Sequence, residues 1–416
     1  MKFGYIPAVT GLLAKEEVML QEVGNYFSLL NKIGGERLNS DQTNNPNPLF
    51  YFLISGGTEN TVLQLRANRS KTSPEEPVYL IAHPGNNSLP ACLEVLARLQ
   101  QDGNPGRIFY IKNSDDANGI NQIVTALHDN EVMKSMKKAR IGLVGTASDW
   151  LVASKPDAEI VRKVWGPEIV HIDFYDLKDR IRKVSSEHLV KYKSSLIKSA
   201  NKIIEPTQSE IDEVVKVYVA LKQLVEELNL ESITVRCFDL VSDMRTTGCY
   251  GLSQLTDDGI ISGCEGDLNS TVGMLWANKL VDETPWMANP AQVDEQNNRL
   301  WLAHCTVPRK LIQKYSLRSH FESGLGVGIQ GTFNTKPITL LRIGGKEMRK
   351  LWLAEGNIMQ AGFAENLCRT QVEIELTSGG SVNDLLRVPL GNHLVMIYGH
   401  HLEKLKSWWE LMINQG

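Results

Sequence analysis

The sequence predicts an α/β protein in which two doubly wound α/β domains, residues 1–138 and 139–284, precede a β-rich, barrel-like domain, 285–416, that ends in a helix. Three observations predict it. Short apolar runs alternate with stretches of helical periodicity from Lys2 to about Met136, the pattern of a parallel sheet covered by helices. A second alternation starts at Arg140-Ile-Gly-Leu-Val-Gly145, a strand feeding a glycine turn. Past Val281 helical spacing gives way to short strands broken by Gly344-Gly345 and Gly379-Gly380. At 416 residues the chain exceeds one ordinary core, so two or three domains are expected.

In the first domain the strand runs are Phe3 to Ile6, Phe50 to Ile54, Val78 to Ala82 and Arg107 to Ile111, with helices around Lys15 to Leu30, Thr61 to Arg66, Leu89 to Gln100 and Ile120 to Asn130. Gly34 to Pro48, rich in Asn and Gly, reads as a loop. Ser55-Gly-Gly-Thr-Glu59 follows a strand and opens a helix, so it is either a tight turn or a cradle of backbone amides for an anion or a sugar hydroxyl. Its spacing matches neither a phosphate loop nor a dinucleotide fingerprint. In the second domain Ser148-Asp149-Trp150 stands where a strand end meets a crevice, Ile169 to Phe174 is the next strand, and Ser186 to Ala200 and Glu210 to Leu228 are amphipathic helices. Ser232 to Cys237 is a buried strand carrying one charge, Arg236, which needs a partner: Glu265, Asp267 or a ligand oxygen. The third domain offers Leu300 to Ala303, Ile338 to Ile343, Leu351 to Ala354, Gln371 to Leu376 and Leu394 to Tyr398, and its closing helix, Glu403 to Met412, docks through Trp408 and Trp409. The glycine run Gly324 to Gly331 lies among these strands with no helix after it, which rejects a nucleotide loop.

Composition excludes several classes. A net charge of −4 argues against a nucleic-acid surface, which needs clustered excess Lys and Arg. No stretch approaches the roughly 18 uninterrupted apolar residues of a membrane span, and the amino terminus lacks a signal-peptide core, so a cytoplasmic protein without membrane or nucleic-acid partners is expected. Six cysteines without a Cys-x-x-Cys pair fit reduced thiols better than a disulfide frame or a zinc cage; Cys264 and Cys305 are packed thiols or, less simply, nucleophiles.

The most informative stretch is Gly259 to Leu280. A short strand, Ile260 to Ile261, leads into Gly263-Cys-Glu-Gly-Asp267, and Leu268, Val272, Leu275, Trp276 and Leu280 then recur at helical spacing. Glu265 and Asp267 therefore sit at a strand-to-helix junction, where free N–H groups favour carboxylates and α/β proteins hold ligands. Cys264-Glu-Gly-Asp-Leu-Asn-Ser-Thr-Val-Gly-Met-Leu275 resembles the acidic segment of the L-fucose isomerase and L-arabinose isomerase superfamily, on its fucose isomerase-like branch. Further matches follow in order at Ser55–Glu59, Asn86–Pro90, Ser148–Ser154, His304-Cys305, His320–Gly324 and Gly391–Gly399.

Aldose–ketose interconversion moves a proton between C1 and C2 through an enediol, and needs a cation to hold negative charge, a carboxylate to ferry the proton and polar groups for the hydroxyls. The resemblance implies that Glu265 is a metal ligand and the proton carrier, that His393 is the imidazole ligand, and that the cofactor is a divalent metal, Mn²⁺ foremost. It also implies an Asp some two dozen residues after Glu265, where this chain has Asn289. An amide oxygen can still ligate a metal but cannot take a proton, so Asp267 is the candidate second acid, with Asp294 and Glu295 on what reads as an exposed turn. Arg236, Trp150, His304, His320, Glu322 and Asn392 are the candidate substrate contacts, His304 with either a hydrogen bond to substrate or none. The activity expected is that of a cytoplasmic, metal-dependent sugar isomerase acting on a small-molecule sugar, in a homo-oligomer that the resemblance makes a trimer or hexamer. The alternatives are a sugar-binding or regulatory homologue that lost proton transfer with Asn289, and a different enediolate reaction such as epimerisation or carbon–carbon cleavage.

Overall fold

Five parallel strands form the first sheet: β1 (Phe3–Ala8), β2 (Gly35–Arg37), β3 (Leu49–Leu53), β4 (Val78–Ala82) and β5 (Gly106–Tyr110), in the order β2-β1-β3-β4-β5. A computed structural model describes residues 1–10, 16–185, 187 and 189–414. Period-2 alternation sends Phe3, Tyr5, Phe50, Phe52, Tyr79 and Phe109 to one face and Ile6, Tyr51, Leu53, Leu80 and Ala82 to the other, and both faces are buried under helices. This sheet belongs to a unit of Met1–Met133 joined by the chain's end from Ser407. There Trp408 is buried and donates its indole N–H to the Asp129 carbonyl at 3.1 Å, so the closing helix Leu402–Met412 docks through its aromatic face. One expectation fails in this unit: part of the stretch read as loop, Gly35–Arg37, adds a short edge strand beside β1, because pairing there depends on an available edge and not on local composition.

The second unit, Lys134–Lys406, holds a four-stranded parallel sheet of β6 (Arg140–Val144), β7 (Glu168–Ile172), β9 (Ser232–Val235) and β10 (Ile261–Cys264), ordered β10-β9-β6-β7. The chain leaves β6 towards β7 and returns on its other side, so strand order reverses between β6 and β9. A crevice at the carboxyl ends of the strands is expected at that point. Two strands are shorter than expected: Phe174 opens a helix capped by Asp173, and Cys237 caps the helix Phe238–Met244, leaving Arg236 just beyond β9.

Six antiparallel strands close the barrel: β11 (Trp286–Asp294), β12 (Arg299–His304), β15 (Pro337–Gly344), β16 (Lys350–Ala361), β17 (Thr370–Gly379) and β18 (Leu394–Tyr398), in the order β11-β12-β17-β16-β15-β18. β13 (Ile312–Arg318) and β14 (Gly328–Phe333), between β12 and β15 in the chain, form a separate three-stranded sheet with β8 (Lys202–Ile203). Sequence patterning missed β11, β13 and β14, whose mixed residues lack clean alternation. No helix among the described residues is long and apolar enough to cross a membrane.

The helix Leu268–Val281 links the parallel sheet to the barrel. It is almost wholly buried, its polar Asn269, Ser270 and Thr271 included, as a helix packed on several sides must be. Gly273 packs tightly on the barrel: a Cβ there would lie 3.1 Å from Leu341 Cδ1 and 3.5 Å from Ile343 Cδ1. Gly273→Leu is expected to destabilise the unit by about 1–3 kcal/mol through overpacking, read as a lower urea midpoint. An unchanged midpoint would show that the helix and barrel do not pack in this way.

Candidate functional site

The site is built on the turn that ends β10. Glu265 has φ 62° and Gly266 φ 69°, two successive left-handed residues that reverse the chain before Asp267 caps the next helix. A non-glycine residue there is strained by roughly 1–2 kcal/mol, and Gly266 cannot carry a side chain, since a Cβ would stand 2.5 Å from the Thr146 carbonyl oxygen. The Gly266 N–H donates to Val235 O at 3.1 Å, and Ser148 N–H donates to the Glu265 carbonyl at 2.8 Å. The carboxyl ends of β6, β9 and β10 are thereby stitched together around Glu265.

The Asp267 carboxylate is fully buried and fully engaged. Oδ1 accepts the Ser270 N–H at 2.8 Å, while Oδ2 accepts the Ser270 hydroxyl at 2.8 Å and Arg342 Nη1 at 3.1 Å, and faces His393 Nδ1 at 2.9 Å. Burial works to raise its pKa, but the Arg342 guanidinium, His393 and the Ser270 N–H hold it well below the usual carboxylate range. Arg342 also donates to Ser154 and Ser270. This buried arginine on β15 is absent from the sequence candidates, although a lone charge in the apolar run Ile338 to Ile343 signals a buried partner.

His393, at the start of β18, is buried, with Nδ1 on Asp267 and Nε2 3.6 Å from Glu265 Oε1. Nε2 makes no hydrogen bond, an orphaned buried atom aimed at the glutamate. Burial disfavours its charge, yet the Asp267 and Glu265 carboxylates raise the imidazole to about 9. Glu265 Oε2 accepts the Trp150 indole N–H at 2.6 Å. Burial pushes Glu265 up, and the pull of His393, His304 and Trp150 exceeds it, so the acid is ionised at neutral pH.

His304 completes the group. It ends β12 in register with the inward-facing Leu300 and Leu302, and its ring lies 5.5 Å from that of His393 in an edge-to-face arrangement. Nδ1 pairs with the Thr306 hydroxyl at 2.8 Å, and burial followed by repulsion from His393 lowers its pKa to about 4, leaving a neutral imidazole. Ligand atoms of Glu265, His304 and His393 all lie within 4.8 Å of one another, the one such group of three among the described residues.

The other candidates scatter around this centre. Asn289, on β11 opposite Ala303, accepts a hydrogen bond from Asn392 at 3.3 Å, and Asn392 itself is exposed. Arg236 does not meet Glu265 or Asp267. Lying past the end of β9, it turns to the 146–149 loop and pairs with Asp149 at 2.8 Å and Asp239 at 3.0 Å. Trp150 packs edge-to-face on Phe238 at 4.8 Å, and His320 packs on the same ring at 5.5 Å, forming an aromatic row from the Glu265 carboxylate outward. Glu322 is exposed on the His320 loop.

No protein-family model matches the chain. A sulfoquinovose isomerase from Alkalicoccus urumqiensis is 22% identical over 306 residues, covering 72% of this chain and 69% of the relative. Another from Priestia aryabhattai is 19% identical over 308 residues, covering 71% and 68%, and one from Clostridium sp. (strain MSTE9) is 21% identical over 188 residues, covering 45% and 42%. The isomerase-superfamily resemblance holds. The first two match along some seven-tenths of the chain and the third along less than half of it.

Asp267→Asn leaves the Arg342 charge buried without its counter-ion, so metal-free protein is expected to lose on the order of 3–5 kcal/mol of unfolding free energy at pH 7. A depressed carboxylate contributes stability above its unfolded pKa of about 3.9 that fades as pH falls towards the folded value. The gap between wild type and variant in urea titrations should therefore narrow on acidification; a gap that stays constant to low pH would refute this account of Asp267.

Proposed function

We propose that the chain is a divalent-metal-dependent aldose–ketose isomerase, that Glu265, His304 and His393 hold the metal, and that its substrate is of the sulfoquinovose kind named by its relatives. The observation that carries the proposal is the convergence of one carboxylate and two imidazoles, from the turn after β10, the end of β12 and the residue before β18, on a single buried point. The donor set suits a divalent first-row ion such as Mn²⁺. The unpartnered His393 Nε2 fits the same group, since a buried polar atom without a partner is costly unless something binds it. When bound, the ion supplies Lewis-acid polarisation of the substrate oxygens.

The chain's own residues divide the remaining work. Asp267 is assigned a positioning role and not that of second acid: with its oxygens engaged it fixes the His393 tautomer and turns Nε2 towards Glu265. His304, pinned through Nδ1 by Thr306, takes the ligand place that the resemblance gave to Asn289. Glu265 is ionised and able to take a proton, and Trp150 holds its Oε2, so it carries the proton between C1 and C2. Asn289 and Asn392 offer amide groups for substrate hydroxyls, and the Trp150–Phe238–His320 row offers an aromatic wall. A cytoplasmic trimer or hexamer belongs to the same proposal, and sedimentation of the purified protein tests the assembly.

Chelator-treated protein should convert no sugar, and Mn²⁺ should restore conversion of sulfoquinovose to its ketose, with deuterium from D₂O entering the ketose at C1, the carbon that receives the proton. Glu265→Gln should lower kcat by about 10²–10⁴-fold, the usual contribution of a general base. The isomerase proposal fails if Mn²⁺-loaded wild type turns over no member of a panel of pentoses, hexoses and sulfonated sugars. Calorimetric binding of a sugar without turnover would favour the binding-protein alternative that Asn289 raises.

A further inference from the structure

Five cysteines gather behind the Glu265 turn. Cys305 neighbours Cys249 and Cys368, its sulfur accepts the Arg369 N–H at 3.4 Å, and Cys237 Sγ lies 3.0 Å from Cys264 Sγ. All five are free thiols. The second contact stands apart by where its two residues sit. Cys264 is the last residue of β10 and is bonded directly to Glu265. Cys237 caps the helix Phe238–Met244 and is bonded directly to Phe238, the ring against which Trp150 packs. Trp150 in turn donates to the Glu265 carboxylate. The two sulfurs therefore bridge the two arms of one loop of contacts: Cys264 to Glu265, Glu265 to Trp150, Trp150 to Phe238, Phe238 to Cys237.

We propose that Cys237 and Cys264 are a peroxide-sensitive dithiol whose oxidation to a disulfide switches the Glu265 site off. This rests on the isomerase reading for its consequence, though not for its chemistry. The Cys237 sulfur attacks one oxygen of hydrogen peroxide, the O–O bond breaks, and the released hydroxide leaves as water with the thiol proton, giving a sulfenic acid. The Cys264 sulfur then attacks that sulfur, the S–O bond breaks, and the hydroxyl departs as a second water with the Cys264 proton. Two electrons pass from the thiols to the peroxide, and one S–S bond forms.

Bonding requires the sulfurs to close from 3.0 Å to about 2.05 Å. The parallel strands leave little slack, since Cys264 is already in register with Val235, and the turn beyond it is wedged by Gly266 against the Thr146 carbonyl. The displacement therefore falls on Glu265 and Phe238. A misplacement of about 1 Å at a catalytic group can cost on the order of 10²-fold in rate. Cys237 is 6% and Cys264 4% exposed, so only an oxidant as small as hydrogen peroxide suits this pair.

The test treats reduced, Mn²⁺-loaded full-length protein with hydrogen peroxide, blocks remaining thiols under denaturing conditions and maps linked peptides by mass spectrometry. Expected are a Cys237–Cys264 linked peptide, at least about tenfold loss of sulfoquinovose turnover, recovery with dithiothreitol, and resistance of Cys237→Ser and Cys237→Ala to the same treatment. If the reduced wild type turns over no sugar, the linked peptide and a weaker Mn²⁺ affinity of the oxidised protein by calorimetry decide the matter, so failure of the isomerase reading stays distinct. Absence of that peptide, a link joining Cys305 to Cys368 instead, a linked protein with unchanged turnover and Mn²⁺ affinity, or variants inactivated like wild type would each overturn the proposal.

Discussion

One buried carboxylate organises this half of the chain. Asp267 caps the helix Leu268–Val281, neutralises Arg342 from the barrel and anchors His393 from another barrel strand, with Oδ2 alone serving three partners. Each partner would be costly without it: an uncapped helix end, an arginine buried among hydrocarbon and an imidazole free to turn. The arginine and the histidine lie 75 and 126 residues beyond Asp267, so the ion pair is also what registers the parallel sheet against the barrel.

The region around that carboxylate is graded in polarity. Asp267 is buried and saturated, Glu265 keeps one oxygen on the half-exposed Trp150 and turns the other towards His393, and the aromatic row continues from Trp150 through Phe238 to His320. A saturated carboxylate is suited to holding its neighbours still, and a partly satisfied one to exchanging partners. The division of roles between two acids two residues apart follows from this difference in environment and not from residue type. The strained φ of Glu265 agrees with it, since left-handed non-glycine residues persist where the surroundings over-determine them.

Much of this was legible in the chain. Strand and helix alternation marked both parallel sheets to within a few residues, the glycines around Glu265 marked a turn, and the ordered motifs pointed to the isomerase superfamily. Arg236 was placed correctly at a strand end and its need for a partner was foreseen, but its partners are the nearby Asp149 and Asp239 and not the site acids. His304 was singled out as a candidate substrate contact and not as a metal ligand; its register with Leu300 and Leu302 was the available clue that it faces inward. Arg342 escaped notice because its significance depends on what lies opposite.

What the sequence determined by itself was local: which segments extend or coil, where the chain must turn, and which residues bear ionisable groups near a strand end. Those properties follow from side-chain period, cap chemistry and backbone freedom within a few residues. Which groups meet was decided only by tertiary structure, because barrel closure brings β12 and β18 to the end of β10 and no short-range rule reports that distance. The same holds for the two thiols at 3.0 Å, separated by 27 residues and brought together where β10 pairs with β9.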